Sequence, residues 1–597
     1  MPERFKKWIT KNKDGWFDAG VSLIVVLIFM IIMSLCYDYY FDLNDDVLMK
    51  DILSGTYFGK SLGHDIQMHY PISFLVALCY RITDKISWYG LLLLRLQCGA
   101  LFVIVDRTLS LISGSDKKIK LIKIALATGE TLLLGSLMLP HLMNVQYTIT
   151  VGFMGAAAVS LIMTAKESDN PVTFIKNCIS PILIVFLGYM IRSEMMLLMM
   201  PYVCAAGVFK WSFEKKFFTK KNFIKYIAVL GVMAGLMLAA EGANRIAYSS
   251  DEWSEFTSLF NARTELYDYQ VPPLYEDGNE EFYESIGISE EEAILFKNYN
   301  FGIDNEIDSE IMWKVADYAG SLNTETRTFK EKFAEKLKLY IYEFTHITKT
   351  SGTDYPWNIV VMALYLMCLI LLIASRDYIG IWRIVALFAG RSAIWLYMLM
   401  GERTPDRITH SNYFIEITLL IFLVGMLLKR HLGAGKRAAA ICAFIAGGLT
   451  IFSIFILKDS CSALRYDQDI RKDTNADYIA LYEYMEDNED DFYFMDTYSS
   501  VSYSERLIYS ESKIVKKNSV TLGGWSAFSP IEADKLKEYG YEDMESGLLS
   551  DNAYFVKDKD ISMDWLVPYY ASHGTDIEVE LMDIIGRFEI YKLRKLS

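Results

Sequence analysis

The sequence predicts an α-helical polytopic membrane protein with a small α/β domain at its C-terminal end. Three observations lead there. Apolar runs near twenty residues recur from Val21 to Leu457 of the 597-residue chain, and a helix needs about 20 such residues to cross a bilayer. Basic side chains gather in alternate connections between those runs. Beyond residue 458 the apolar pattern stops, and strand-like runs alternate with helix-like ones.

Composition agrees. The chain is 52% apolar and 22% charged, with a net charge of −15. An acidic chain makes a poor partner for nucleic acid, whose phosphates call for a basic face. Seven of the eight cysteines lie in or beside apolar segments and only Cys461 falls in a polar one. That spacing gives no disulfide framework, so the expectation is buried packing thiols.

In chain order, a basic N-terminus (MPERFKKWITKNK) leads into an apolar helix over Val21–Cys36 with no small-residue cleavage site after it, which predicts an uncleaved anchor. Spans follow at 88–112, 119–139, 146–165, 223–243, 357–375, 380–400, 412–429 and 437–458. The stretch 178–209 is too long for one helix and is interrupted by Arg192-Ser193-Glu194, which predicts two half-length helices meeting at a polar tip. Segment 71–82 is short for a span and reads as a re-entrant or interfacial helix on the outer side.

This arrangement places Lys117, Lys118, Lys120 and Lys123, the lysines of 210–225, Arg376, Arg383, and Lys429–Arg437 on the inner side. Basic residues outnumber acidic ones there by roughly three to one, as the positive-inside rule requires. The N-terminus is then cytoplasmic, and residues 244–356 and 459–597 are extracytoplasmic. Both outer regions are acidic, with 23 acidic against 10 basic residues in the first and 29 against 15 in the second. The expected division is a membrane core over 1–243 with a functional first outer loop at 38–87, an insertion over 244–356, further membrane helices over 357–458, and an α/β domain over 459–597. In that domain 491–495, 553–556 and 587–591 read as strands and 477–485 as helix. In the insertion, 328–345 reads as helix.

The informative segment begins where the first span ends, at Phe41-Asp42-Leu43-Asn44-Asp45-Asp46-Val47. Adjacent carboxylates at a membrane surface are costly to hold near low dielectric, and each raises the other's pKa. Such a group can serve as a general base for a hydroxyl or as a metal ligand; it can equally start the next helix. After the pair come Asp51-Ile52-Leu53-Ser54-Gly55, then Met68-His69-Tyr70-Pro71, an apolar helix, and Trp88-Tyr89-Gly90 ahead of Leu94-Arg95-Leu96.

This ordered set resembles the GT-C superfamily of membrane glycosyltransferases, and within it the protein O-mannosyltransferase-like and aminoarabinose-transferase-like branch. The motifs cover residues 17–112. The resemblance implies a GT-C-like helical core with re-entrant or juxtamembrane helices on the outer face. It also implies inverting transfer of a sugar from a polyprenyl-phosphate-type lipid to an acceptor hydroxyl on a glycan, protein or lipid. Asp45 matches the family's catalytic base and Asp46 the acidic neighbour that orients it or a metal. His69-Tyr70 stands where the family often has a lysine that meets the lipid phosphate, and Arg95 matches the arginine that starts the next span, although snorkelling would explain it as well.

A departing phosphate needs positive charge. The candidates are Arg192, for which a structural pair with Glu194 is the competing reading, and Arg403 and Arg407 in Gly401–Arg407, which can equally form turn pairs with Glu402 and Asp406. Arginine's planar fork suits phosphate. No cofactor is firmly implied; His64 and Asp65 are weak candidates to join Asp45 and Asp46 around a divalent ion such as Mn²⁺ or Mg²⁺. The aromatic loop Leu522–Phe528, with Trp525, can stack on sugar rings or pack a core.

Two other readings compete. A polysaccharide polymerase or O-antigen ligase would centre on Arg403, Arg407 and His410. A transporter would use Glu130, inside the span 119–139. The composition suits a bacterial plasma membrane and a role in the cell envelope.

Overall fold

The computed structural model describes residues 13–114, 116–214, 219–326, 328–349, 354–432, 436–507 and 516–596. The start of the basic N-terminal run and Lys215 and Lys216 lie outside them. Among the described residues eight helices are long and apolar enough to cross a membrane, or nine if the bent pair Pro171–Asn177 and Ile179–Ile191 counts as one span. That is the architecture of a multi-pass membrane protein. A five-stranded sheet domain follows the last of these helices.

The bundle is built around Tyr147–Met163, a helix of 17 residues in which every residue except Leu161 is buried. It packs against Trp88–Leu109, Ile179–Ile191, Ser193–Phe213 and Asp406–Leu432. The approach is close because the helix offers Gly152, Gly155 and Ala156–Ala158 at its contact faces, and small residues let helix backbones meet where lipid supplies no hydrophobic drive. A Cβ at Gly152 would run into Ser411.

Four expectations change. Tyr147–Met163, expected as a span over 146–165, is one of the shorter apolar helices and is not among the eight. Ser193–Phe213 is a full 21-residue helix rather than a half-length one. The break at Arg192 is a single extended residue (φ −153°, ψ 100°), and Pro201 does not stop the helix that follows. Lys117–Leu137 is a helix but is not among the eight, because Lys120, Lys123 and Glu130 interrupt its apolar stretch. Lys123 is held by Asp18 at 2.7 Å, and Glu130 accepts the Thr108 hydroxyl at 2.8 Å. The thiols are not uniformly buried: Cys178 and Cys368 are, but Cys36 and Cys204 are exposed on the bundle surface, and all eight are free. The short helix Tyr70–Ile82 has 13 residues, as its sequence suggests.

Helix Lys436–Asp487 runs unbroken for 52 residues, through the expected boundary at 458/459, and delivers the chain directly to the sheet. The sheet order is β4-β3-β5-β7-β6, with β3 (Phe492–Met495), β4 (Ser519–Thr521), β5 (Ala553–Asp558), β6 (Ile577–Ile585) and β7 (Phe588–Lys595). β3 lies parallel to β4 and β5, and β7 is antiparallel to β5 and β6. Helix Phe329–Thr345 begins on a capping box of Thr328 and Glu331, which satisfies two free backbone donors.

Three separate stretches of chain meet at one end of the bundle. The Phe41 N–H donates to Glu505 O at 2.9 Å, the Gly302 N–H to Leu522 O at 2.8 Å, and His64 lies 3.2 Å from Ala247 O. At the opposite end sit Lys123 with Asp18, Lys225 with Glu214 (2.7 Å) and Arg383 with Ser212 (2.7 Å).

Candidate functional site

The loop that carries Asp45 and Asp46 is fixed at both edges. Its first residues form β1 (Tyr40–Phe41), which pairs in parallel with β2 (Asn144–Val145) just ahead of the central helix. Arg471, from the long C-terminal helix, clamps the same point. It donates to the carbonyls of Phe41 (3.2 Å) and Asp42 (3.0 Å) and pairs with the Asp42 carboxylate at 3.0 Å. The chain then turns into helix Asn44–Ser54, with Asp45 and Asp46 in its first turn, where the helix dipole favours negative charge.

The two carboxylates differ in situation. Asp46 is wholly buried; its Oδ1 accepts the Tyr89 hydroxyl at 2.7 Å and the Tyr147 N–H at 3.1 Å. Tyr147 is the first residue of the central helix, so Asp46 satisfies one of that helix's free donors. Its Oδ2 is buried without a partner. Burial pushes the Asp46 carboxyl well above the usual range; the Tyr89 hydrogen bond opposes that shift and the Asp45 charge adds to it. Asp45 is half-buried, and its Oδ1 accepts the indole N–H of Trp525 at 3.1 Å. The aromatic loop of the C-terminal domain therefore reaches the first loop, and Trp525 holds the carboxylate by its edge.

Two arginines act on the Tyr147 ring beside this point. Arg192, at the tip between two helices, lies 5.3 Å from the centre of the Tyr147 ring, pairs with Glu194 at 3.1 Å and donates to the Gln67 amide oxygen. The fields of Arg192, Asp45, Asp46 and Arg407 all reach the Tyr147 phenol, and those of Asp45 and Asp268 reach Arg192. Arg403 pairs with Asp268 at 3.0 Å. Arg407 is half-buried and, among the described residues, has no hydrogen bond or ion pair for its guanidinium. The structure thus brings together Asp45, Asp46, Arg192 and Arg407, with Arg403 one carboxylate away.

Other candidates are engaged elsewhere. His69 pairs with Glu241 at 3.1 Å, and the Tyr70 N–H donates to Asn244 at 2.8 Å. Arg95 is exposed on its helix with no polar partner among the described residues, which fits snorkelling. His410 meets His141 at 2.7 Å and stacks on Trp357. The weak metal candidates do not converge: His64 lies 3.2 Å from Ala247 O and is ringed by Tyr70, Tyr248 and Trp253. Asp65 accepts the Met68 N–H at 3.0 Å and has its second oxygen buried. Neither joins Asp45 and Asp46 in a ligand cluster among the described residues.

Sequence reasoning missed three features. Arg471 and the Trp525–Asp45 bond join residues more than 400 positions apart and leave no local signal. The buried pair Arg391–Glu416, at 3.0 Å and with both side chains fully enclosed, did have one, since each is a charge inside an expected span.

No family model matches the chain, and no curated protein matches it by sequence. Among solved structures it is similar to ArnT from Cupriavidus metallidurans bound to undecaprenyl phosphate, with 9% identity and a TM-score of 0.33, over 96% of this chain and 98% of that one. So loose a superposition adds no argument about the site.

Proposed function

We propose that the protein is a membrane glycosyltransferase that moves a sugar from a polyprenyl-phosphate-type lipid to an acceptor hydroxyl, at the face of the membrane where Asp45 lies. In this reading Asp45 takes the proton from the acceptor hydroxyl as it attacks the anomeric carbon, with inversion, and the lipid phosphate leaves toward Arg192 and Arg407. Asp46 holds the loop against the central helix and does not meet substrate. Arg403, paired with Asp268, flanks the phosphate.

The observation that carries the reading is a half-buried carboxylate, Asp45, anchored on one oxygen by Trp525 and set in the same field as two arginines, one of them uncommitted. General-base transfer from a lipid phosphate asks for that pairing of an accessible acid and unspent cations. The resemblance of residues 17–112 to GT-C enzymes supports the same assignment. The basic residues at the opposite end of the bundle support an extracytoplasmic site and a cytoplasmic N-terminus.

The test is an Asp45→Asn variant assayed for transfer from a lipid-linked sugar. Loss of about 10²- to 10⁴-fold in rate is expected, with the protein still membrane-inserted and its thermal midpoint unchanged. Full activity in that variant overturns the base assignment.

A further inference from the structure

Away from that site, Glu292, Asp304 and His573 come together from two parts of the chain. Their nearest ligand atoms all lie within 4.8 Å of one another. Glu292 sits in the first turn of helix Glu290–Asn298, Asp304 directly after the turn Phe301–Ile303, and His573 at the end of helix Leu566–Ser572. His573 Nε2 is 3.5 Å from Glu292 Oε1 and 4.0 Å from Asp304 Oδ2.

The atoms facing inward are the ones left over. Glu292 Oε2 accepts the Ser289 N–H at 2.6 Å, and Asp304 Oδ1 accepts the Glu306 N–H at 2.8 Å. Glu292 Oε1 and Asp304 Oδ2 remain, and both turn to His573. Asp304 is 1% exposed and its Oδ2 has no hydrogen-bond partner. His573 Nδ1 lies 3.0 Å from the Tyr569 carbonyl. A carbonyl only accepts, so Nδ1 carries a hydrogen, and Nε2 is the nitrogen turned toward the carboxylates, free to give its lone pair to a cation placed there. A backbone carbonyl holding the far nitrogen is the usual way a metal-binding histidine is oriented.

We propose that Glu292, Asp304 and His573 bind a divalent transition-metal ion, Zn²⁺ foremost, which clips the 244–326 segment to the C-terminal domain. One nitrogen and two carboxylate oxygens suit zinc, and the side of His573 that stays partly open leaves room for a water as fourth ligand. The ion also relieves like-charge crowding, since Glu306 and Glu545 stand close enough to act on this group. Its position matters beyond the clip. The turn Phe301–Ile303 bonds to Leu522, which opens the loop whose Trp525 reaches Asp45.

The test uses full-length protein in detergent, carrying no histidine tag, stripped with chelator and then titrated with Zn²⁺ alone, with Ca²⁺ as comparison. One zinc per chain and a higher thermal midpoint are expected, with no such response to Ca²⁺. His573→Ala and Asp304→Asn are expected to weaken zinc binding by more than about 100-fold. Co²⁺ loaded into the wild-type chain should give visible d–d absorption, a reading that needs no variant to fold. A stripped wild-type chain that takes up neither Zn²⁺ nor Co²⁺, or variants that bind zinc as the wild type does, overturns the proposal. The cluster would then be an imidazolium bridged between two carboxylates.

Discussion

The middle of the bundle and the loop that begins at Tyr40 both hold charge away from water, and they dispose of it differently. In the bundle, Arg391 donates to Glu416 at 3.0 Å, to the Tyr340 hydroxyl at 2.9 Å and to the Tyr413 hydroxyl at 3.1 Å. Glu416 also accepts the Tyr365 hydroxyl at 2.8 Å. Four aromatic rings, of Tyr340, Phe344, Trp395 and Tyr413, surround the guanidinium. At the loop, among the described residues, Asp46 keeps an oxygen without a partner, Arg407 has no counter-ion, and Asp45 is held on one oxygen only. A closed network ties helices together; an open one leaves capacity for something else to bind. The difference marks where chemistry is to be sought.

The bundle pair should give the largest effect. Arg391→Leu or Glu416→Leu alone strands a buried charge and should cost about 3–5 kcal/mol, read as thermal unfolding in detergent. The double variant should recover most of the loss. Single variants within 1 kcal/mol of the wild type, on the scale of a surface pair, would erase the contrast.

Within the loop the two carboxylates should separate. Asp46→Ala strands the Tyr89 hydroxyl and the Tyr147 N–H, at about 1–3 kcal/mol, whereas Asp45→Ala should leave the thermal midpoint nearly unmoved and abolish transfer. Equal destabilisation by both would dissolve the distinction between anchor and reactant.

Next come the arginines. Arg407→Ala should raise the KM for the lipid donor by about tenfold, the worth of one lost charge-assisted contact. Arg403→Ala should raise it less, because Asp268 already neutralises that side chain. The reverse order, measured by varying the donor, would move the phosphate toward Arg403.

The smallest effect concerns Asp51, which pairs with Lys50 at 2.5 Å and Lys516 at 2.8 Å. Burial alone would raise its pKa, but the two lysines outweigh burial and hold it below the usual value. A lowered carboxyl stabilises the fold above the unfolded pKa of about 3.9, and that contribution fades as pH falls through the folded value. Lys516→Met should cost less at pH 7 than stranding Arg391 or Glu416, because Lys50 stays beside Asp51, and should shift the acid limb of the stability profile upward. An unchanged acid limb would show Lys50 to be sufficient.

Much of the fold was legible because its signals are local. Apolar runs mark helices such as Trp357–Ala374, and a short continuous run of aromatics marks the buried strand Phe492–Met495. The first loop was legible through its acidic pair, though spacing alone could not say which carboxylate would be buried; that depends on where Tyr89 and the start of the central helix arrive. Trp525 was visible only as an aromatic in a polar domain, because its partner is 480 residues away. His573 drew no notice at all, since its carboxylates lie in another segment and share no spacing with it.

Helix Lys436–Asp487 has a consequence of its own. Its 52 residues measure about 78 Å along the axis, and the hydrocarbon layer takes up only about 30 Å of that. The terminal domain thus stands on a mast rather than hanging from a tether, and its altitude is set by counting residues. The same mast is lashed to the first loop partway up, through Arg471 on Asp42, and the platform it carries leans back onto Asp45 through Trp525.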